Sequence, residues 1–158
     1  MLRLHMMNRI LIVEDNPIKL EKIVSLFEDL VEGVSIDTAS SFNSGWLLLQ
    51  KNRGEYDLII LDLSLPSFDS TISIDSGEFR SLGGKELAHK LVKRKVNTPF
   101  LFLTAYSVFD DKVYKYTFDE LKKELTSKYP EQCLGVIFFN SKGSEWRKEI
   151  KDSVRGII

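Results

Sequence analysis

A short, unbroken apolar run that ends at an aspartate limits the folds open to this chain. The run is Leu58–Leu61, and Asp62 follows it directly. Such a run is typical of a strand in a parallel sheet that is buried on both faces. In open α/β sheets, ligands bind at the carboxyl ends of the strands, so Asp62 is a candidate site residue. The alternative is that Asp62 only ends the strand and caps the following loop.

Four more strands are predicted, and helices separate all five. The further strands are predicted from apolar or β-branched runs at Arg9–Val13, Val34–Ala39, Phe100–Leu103 and Leu134–Phe139. Helices are predicted from apolar spacing and capping signals at 17–33, 40–53, 84–96, 118–129 and after Ser144. The alternation predicts an α/β fold, a doubly wound five-stranded parallel sheet with right-handed crossovers.

Two segments depart from this regular pattern. Residues 67–83 are rich in Ser, Asp and Gly, with a weak alternation at 71–75, and predict a long loop that carries at most a small hairpin. Residues 106–116 contain aromatic and charged side chains without a clear period. Long loops inside compact domains are often functional, which makes both segments candidates for binding surfaces.

Composition limits the class of protein and its partners. A chain of 158 residues with 43% hydrophobic residues can bury one sizeable core, so we expect one domain at 8–158 and a tail at 1–7. The net charge of −1 favours neither nucleic acid nor an anionic membrane as a partner. Cys133 is the only cysteine, and no apolar run approaches the roughly 18 residues of a membrane span. We therefore expect a cytoplasmic protein.

The predicted topology brings several polar side chains to one edge of the sheet. Glu14 and Asp15 follow strand one, Asp62 follows strand three, Thr104 follows strand four, and Lys142 follows strand five. Like charges about 4 Å apart repel by roughly 4 kcal/mol at an effective dielectric near 20, so this edge needs a cation. Mg²⁺ suits oxygen ligands of this kind. With a hydroxyl and an ammonium beside them, these groups could stabilise a phosphoryl group in transfer to a carboxylate.

Each of these residues also has a structural interpretation without chemistry. Glu14 and Asp15 could complement the dipole at the start of the first helix. Thr104 could be an ordinary strand residue, since β-branched side chains suit strands. Lys142 could be a solvated surface lysine. The chemical hypothesis therefore requires that these side chains meet in space.

Taken together, the motifs resemble the receiver domain of two-component response regulators. The resemblance is carried by Glu14-Asp15, the segment Leu61–Pro66, Gly84–Leu87, Thr104-Ala105 and Phe139–Lys142. It extends over residues 8–158. It implies a flavodoxin-like topology with strand order 2-1-3-4-5. It departs from the family pattern at Gly143, where a proline usually follows the lysine, and in the long spacings around 67–83 and 106–133.

The resemblance implies a role for each matching residue. Asp62 is expected to accept a phosphoryl group. Glu14, Asp15 and Asp62 are expected to hold Mg²⁺ together with the backbone carbonyl of Ser64.

The resemblance also assigns the residues that respond to the phosphoryl group. Thr104 is expected to be the switch hydroxyl, Lys142 to pair with a phosphoryl oxygen, and Phe139 to be the switch aromatic. The implied function is a stand-alone receiver, not an enzyme in the usual sense, that a histidine kinase or phosphotransfer protein phosphorylates. Its output would be a downstream protein partner or a homodimer. The alternative is a phosphorylation-independent interaction module that uses the segments 67–83 and 106–133.

Overall fold

A five-stranded parallel sheet forms the centre of the protein, in a computed structural model that describes residues 8–69, 82–110 and 115–158. The strands in chain order are β1 Arg9–Val13, β2 Ser35–Ala39, β3 Leu58–Leu61, β4 Phe100–Thr104, β5 Val108–Asp110, β6 Lys115–Thr117 and β7 Cys133–Phe138. The parallel sheet has the order β2-β1-β3-β4-β7. The predicted α/β class and the order 2-1-3-4-5 of the sheet strands are both confirmed.

Within the described ranges, five helices cover the two faces of the sheet. They are α1 Pro17–Leu30, α2 Phe42–Lys51, α3 Gly83–Lys93, α4 Phe118–Lys128 and α5 Glu145–Val154. Ile10 and Ile12 of β1 pack with residues of α1 and α5, whereas Leu11 and Val13 pack with residues of α2, α3 and α4. Because both faces are covered, β3 is buried along its whole length, which is why its sequence shows no polar alternation.

Local sequence signals explain where two helices begin. The side chain of Asn16 accepts hydrogen bonds from the backbone N–H groups of Ile18 and Lys19, both at 3.0 Å, and Pro17 is the first residue of α1. Thr117 and Glu120 form a capping box at the start of α4, which is one of the capping signals used to predict that helix. These caps satisfy N–H groups that have no partner inside the helix.

A small antiparallel hairpin between β4 and α4 was not predicted. Strands β5 and β6 pair Val108 with Thr117 and Phe109 with Tyr116. Strands of three residues are too short for an alternating pattern to be recognised in the sequence. The tail predicted at 1–7 and most of the loop predicted at 67–83, with its possible hairpin at 71–75, lie outside the described residues. Among the helices that the structure describes, none is long and apolar enough to cross a membrane.

Candidate phosphoacceptor site

The ends of β1 and β3 bring three carboxylates together at one edge of the sheet. Val13 pairs with Leu61, and the backbone N–H of Asp62 donates to the carbonyl of Val13 at 3.1 Å. The next side chains, Glu14 and Asp62, are therefore neighbours, and both are at least 97% buried. Carboxylate oxygens of Glu14, Asp15 and Asp62 lie within 4.8 Å of one another. The predicted convergence of these acids is what the structure shows.

Backbone groups orient two of these acids. The Oε2 atom of Glu14 accepts a hydrogen bond from the N–H of Asn16 at 2.9 Å, so the turn that starts α1 also holds the carboxylate. The Oδ1 atom of Asp62 accepts from the N–H of Ser64 at 3.3 Å. The second oxygen of each carboxylate remains for a cation.

The cation in contact with these oxygens is Lys19, which the sequence interpretation did not select. Its Nζ atom lies 2.6 Å from Oε1 of Glu14 and 3.4 Å from Oδ2 of Asp62, and the side chain is only 4% exposed. Lys19 also donates to the carbonyl of Leu103 in β4 at 2.5 Å. The sequence contained a signal that Lys19 is buried, because this residue lies one helical turn before Ile23 on the buried face of α1.

One ammonium balances only part of the negative charge in this pocket. Burial, and next the charge of Asp62, raise the pKa of the Glu14 carboxyl above its usual value, and Lys19 opposes this effect. Burial and Asp62 also raise the pKa of Asp15. Acids with raised pKa values in a partly dehydrated cluster favour a further cation. The all-oxygen donor set fits Mg²⁺.

Strand β4 brings Thr104 to the same edge. Thr104 follows Leu103, whose carbonyl contacts Lys19, and its side chain is fully buried. Its hydroxyl accepts a weak hydrogen bond from the N–H of Tyr106 at 3.4 Å, and its carbonyl accepts from the N–H of Phe139 at 2.8 Å. This hydroxyl could turn toward a ligand at the sheet edge.

The two residues predicted near the end of β7 differ in their surroundings. Phe139 is buried, and its ring packs on Trp146 with 4.9 Å between the centroids. Lys142 is exposed and, within the described ranges, forms no ion pair, although its backbone N–H donates to Oδ1 of Asn140 at 3.0 Å. The phosphate-pairing role of Lys142 therefore stays a prediction, while Lys19 contacts Asp62.

The start of α3 packs closely against the loop that carries Asp62. The N–H of Gly84 donates to the carbonyl of Leu63 at 3.0 Å. A Cβ atom placed on Gly84 would lie 1.7 Å from the carbonyl oxygen of Asp62, and one on Gly83 would lie 2.2 Å from that of Leu65. This close approach requires glycine, a requirement that no signal in the sequence showed.

Fold and site together define a receiver domain, and the chain belongs to the family described as response regulator receiver domain, whose profile matches residues 10–119. Receiver domains act in two-component signalling as phosphoacceptors rather than as conventional enzymes. The match ends before Phe139 and Lys142, so it does not extend to these two predictions.

Particular relatives support this assignment. The chain is 26% identical over 143 residues to the Detocs response regulatory protein DtcB of Enterobacter cloacae (strain JD6301), covering 90% of this chain and 95% of DtcB. A chain in the CheX-CheY-BeF3-Mg²⁺ complex of Borrelia burgdorferi has a similar fold, with a TM-score of 0.65, 16% identity and coverage of 95% and 88%. The response regulator TrrA of Thermotoga maritima, in complex with Mg²⁺-BeF, has a TM-score of 0.57, 25% identity and coverage of 92% and 98%.

Proposed function

We propose that this receiver domain accepts a phosphoryl group on Asp62 in a Mg²⁺-dependent reaction. The donor is the phosphohistidine of a histidine kinase or phosphotransfer protein, or a small phosphodonor. The observation that carries the proposal is the buried Asp62 carboxylate beside two other carboxylates at the carboxyl edge of the sheet. An oxygen of Asp62 bonds to phosphorus while the N–P bond breaks, and the histidine nitrogen keeps that electron pair.

The acidic residues fit the metal that this reaction needs. Glu14, Asp15, Asp62 and the backbone carbonyl of Ser64 would hold Mg²⁺, and the cluster of carboxylate oxygens within 4.8 Å supports this set. When bound, Mg²⁺ would neutralise charge on the phosphoryl oxygens.

The conformational response to phosphorylation of Asp62 is assigned to Thr104, Lys142 and Phe139. The Thr104 hydroxyl donates a hydrogen bond to a phosphoryl oxygen, and the Lys142 ammonium pairs with another. Movement of Thr104 toward the phosphoryl group changes the rotamer of Phe139 and shifts a two-state equilibrium. Attack of water on phosphorus later restores the Asp62 carboxylate and releases phosphate.

The switch alters a surface that binds a downstream protein or a second copy of the chain. We assign that surface to residues 106–158 within a single domain at 8–158, with residues 1–7 as a tail. A cytoplasmic location agrees with the free, buried thiol of Cys133.

Intact-mass spectrometry tests the proposal directly. Wild-type protein incubated with Mg²⁺ and acetyl phosphate should gain the mass of one phosphoryl group, and a chelator should abolish the gain. Asp62→Asn should show no gain, whereas Asp57→Asn, the same substitution at the other end of β3, should behave like wild type. An unmodified wild-type protein, or a modified Asp62→Asn variant, would refute the assignment.

The second candidate is a phosphorylation-independent interaction module. One observation favours it: the ammonium of Lys19, a cation of the chain itself, pairs with Glu14 and Asp62. Such a module would show no mass gain with acetyl phosphate, and its partner binding would be the same for wild type and Asp62→Asn.

A further inference from the structure

The acid cluster already contains a cation that belongs to the chain. We infer that Lys19 is a resident counter-ion that competes with Mg²⁺ for Glu14 and Asp62, and so lowers the affinity of the site for the metal. The inference rests on the proposed function, because it treats the three acids as a metal site.

The contacts of Lys19 match the donors that an ammonium offers. An ammonium has three N–H donors, and Nζ lies close to three oxygens, at 2.6 Å from Glu14, 3.4 Å from Asp62 and 2.5 Å from the carbonyl of Leu103. These oxygens come from the ends of β1, β3 and β4. With 4% exposure, the side chain has little water to replace them. Lys19 is therefore fixed in the pocket by these contacts and is not a solvent-exposed surface lysine.

A metal ion would need the same oxygens. Mg²⁺ binds to carboxylates directly, so Glu14 and Asp62 cannot keep their present contacts with Lys19 and also coordinate the metal fully. Lys19 must either leave these oxygens or remain as a positive charge beside the ion. A charge within about 4–6 Å typically shifts the pKa of a carboxyl by about 1–3, which is tenfold to a thousandfold in its affinity for a proton. The positive charge of Lys19 opposes a second cation at the same oxygens in the same sense. Removing the charge should therefore tighten metal binding.

The contact with Leu103 extends the effect to β4. Leu103 precedes Thr104, the proposed switch hydroxyl, and its carbonyl receives a hydrogen bond from Lys19. A metal ion that displaces the ammonium would remove this bond from a buried carbonyl. Occupancy of the acid cluster is thereby coupled to the strand that carries Thr104.

A neighbouring lysine provides a matched control. Lys22 lies one turn after Lys19 on α1, and its Nζ atom is 5.9 Å from the centroid of Phe139, against 5.8 Å for Lys19. Lys22 contacts the carbonyl of Ser141 at 3.1 Å and, among the described residues, pairs with no carboxylate. Lys22→Met therefore makes the same change of charge and size on the same helix without altering the acid cluster.

The test is calorimetric titration with Mg²⁺ in mildly alkaline buffer, where competition from protons is small. We expect Lys19→Met and Lys19→Gln to bind Mg²⁺ at least about tenfold more tightly than wild type. Lys19→Arg, which keeps the charge, and Lys22→Met should stay within about twofold of wild type, since neither removes the charge beside the acids. A purely structural role for Lys19 would lower stability without tightening the binding of the metal.

A thermal-shift measurement gives a second readout that does not depend on phosphorylation. Saturating Mg²⁺ should raise the melting temperature of Lys19→Met more than that of wild type, because the metal stabilises the folded state according to its affinity. If all variants bind Mg²⁺ equally, the inference fails while the proposed function stands. If no variant binds Mg²⁺, both fail. If Lys19→Met does not fold, Lys19→Gln decides the question by the same criteria.

Discussion

Replacing Gly84 with alanine should destabilise the protein, although the same change in an ordinary helix is stabilising. In a helix interior, alanine is favoured over glycine by up to about 1 kcal/mol. Here the new Cβ would lie 1.7 Å from the Asp62 carbonyl oxygen and 2.7 Å from its carbonyl carbon, whereas real contacts of this kind are not shorter than 3.0 Å. Both atoms belong to the backbone, so no side chain can rotate away to relieve the clash.

The magnitude follows from the surroundings of this contact. Leu63 and Leu65, which follow Asp62 on the loop after β3, are fully buried, so the loop has little room to move. Overpacking in such sites typically costs about 1–3 kcal/mol and occasionally more. Subtracting the helical preference for alanine, about 1 kcal/mol, from the upper overpacking cost of about 3 kcal/mol leaves an expected net loss of about 2 kcal/mol. In a protein of this size, that lowers the melting temperature by about 4–8 °C.

Urea denaturation followed by circular dichroism measures this loss. The matched control is Gly135→Ala in β7, where the nearest atom to a new Cβ is Cδ1 of Leu101 at 3.4 Å, an ordinary contact, so its stability should not fall. The folded fraction of Gly84→Ala should also react more slowly with acetyl phosphate, since the backbone of Asp62 must shift. A Gly84→Ala variant as stable as wild type, or a Gly135→Ala variant that loses as much, would refute the reasoning.

Two further predictions concern sites away from the acid cluster. Thr117→Ala should lower the free energy of unfolding by about 1 kcal/mol, because the cap at Glu120 is lost, and Thr117→Ser should retain most of it in the same urea titration. The hydroxyl of Tyr56, at 2.6 Å, and the guanidinium of Arg9, at 2.8 Å, hold the pKa of Asp37 below its usual value. A carboxyl with a depressed folded-state pKa stabilises the protein above its unfolded pKa of about 3.9, and this stabilisation is lost as the pH falls through the folded value. The difference in melting temperature between wild type and Asp37→Asn should therefore shrink below about pH 4, and a constant difference would contradict it.

The hairpin of β5 and β6 shows one limit of prediction from this sequence. Its strands have three residues each, and their antiparallel pairing joins Val108 to Thr117. Periodicity needs a longer segment before an alternation can be distinguished from chance. The capping box at Thr117, which lies directly beside it, was predictable because its hydrogen bonds join residues close in the chain.

Strand order along the chain, and the acids at the strand ends, were determined by the sequence alone. An unbroken apolar run such as Leu58–Leu61 has to be buried on both faces, and the residue after it, Asp62, has to lie at the edge of the sheet. Only the tertiary structure decided which ammonium meets that aspartate. Lys19 and the carbonyl of Leu103 are 84 positions apart in the chain yet 2.5 Å apart in space. Electrostatic attraction depends on that spatial distance and on burial, and both arise only when α1 packs on the sheet.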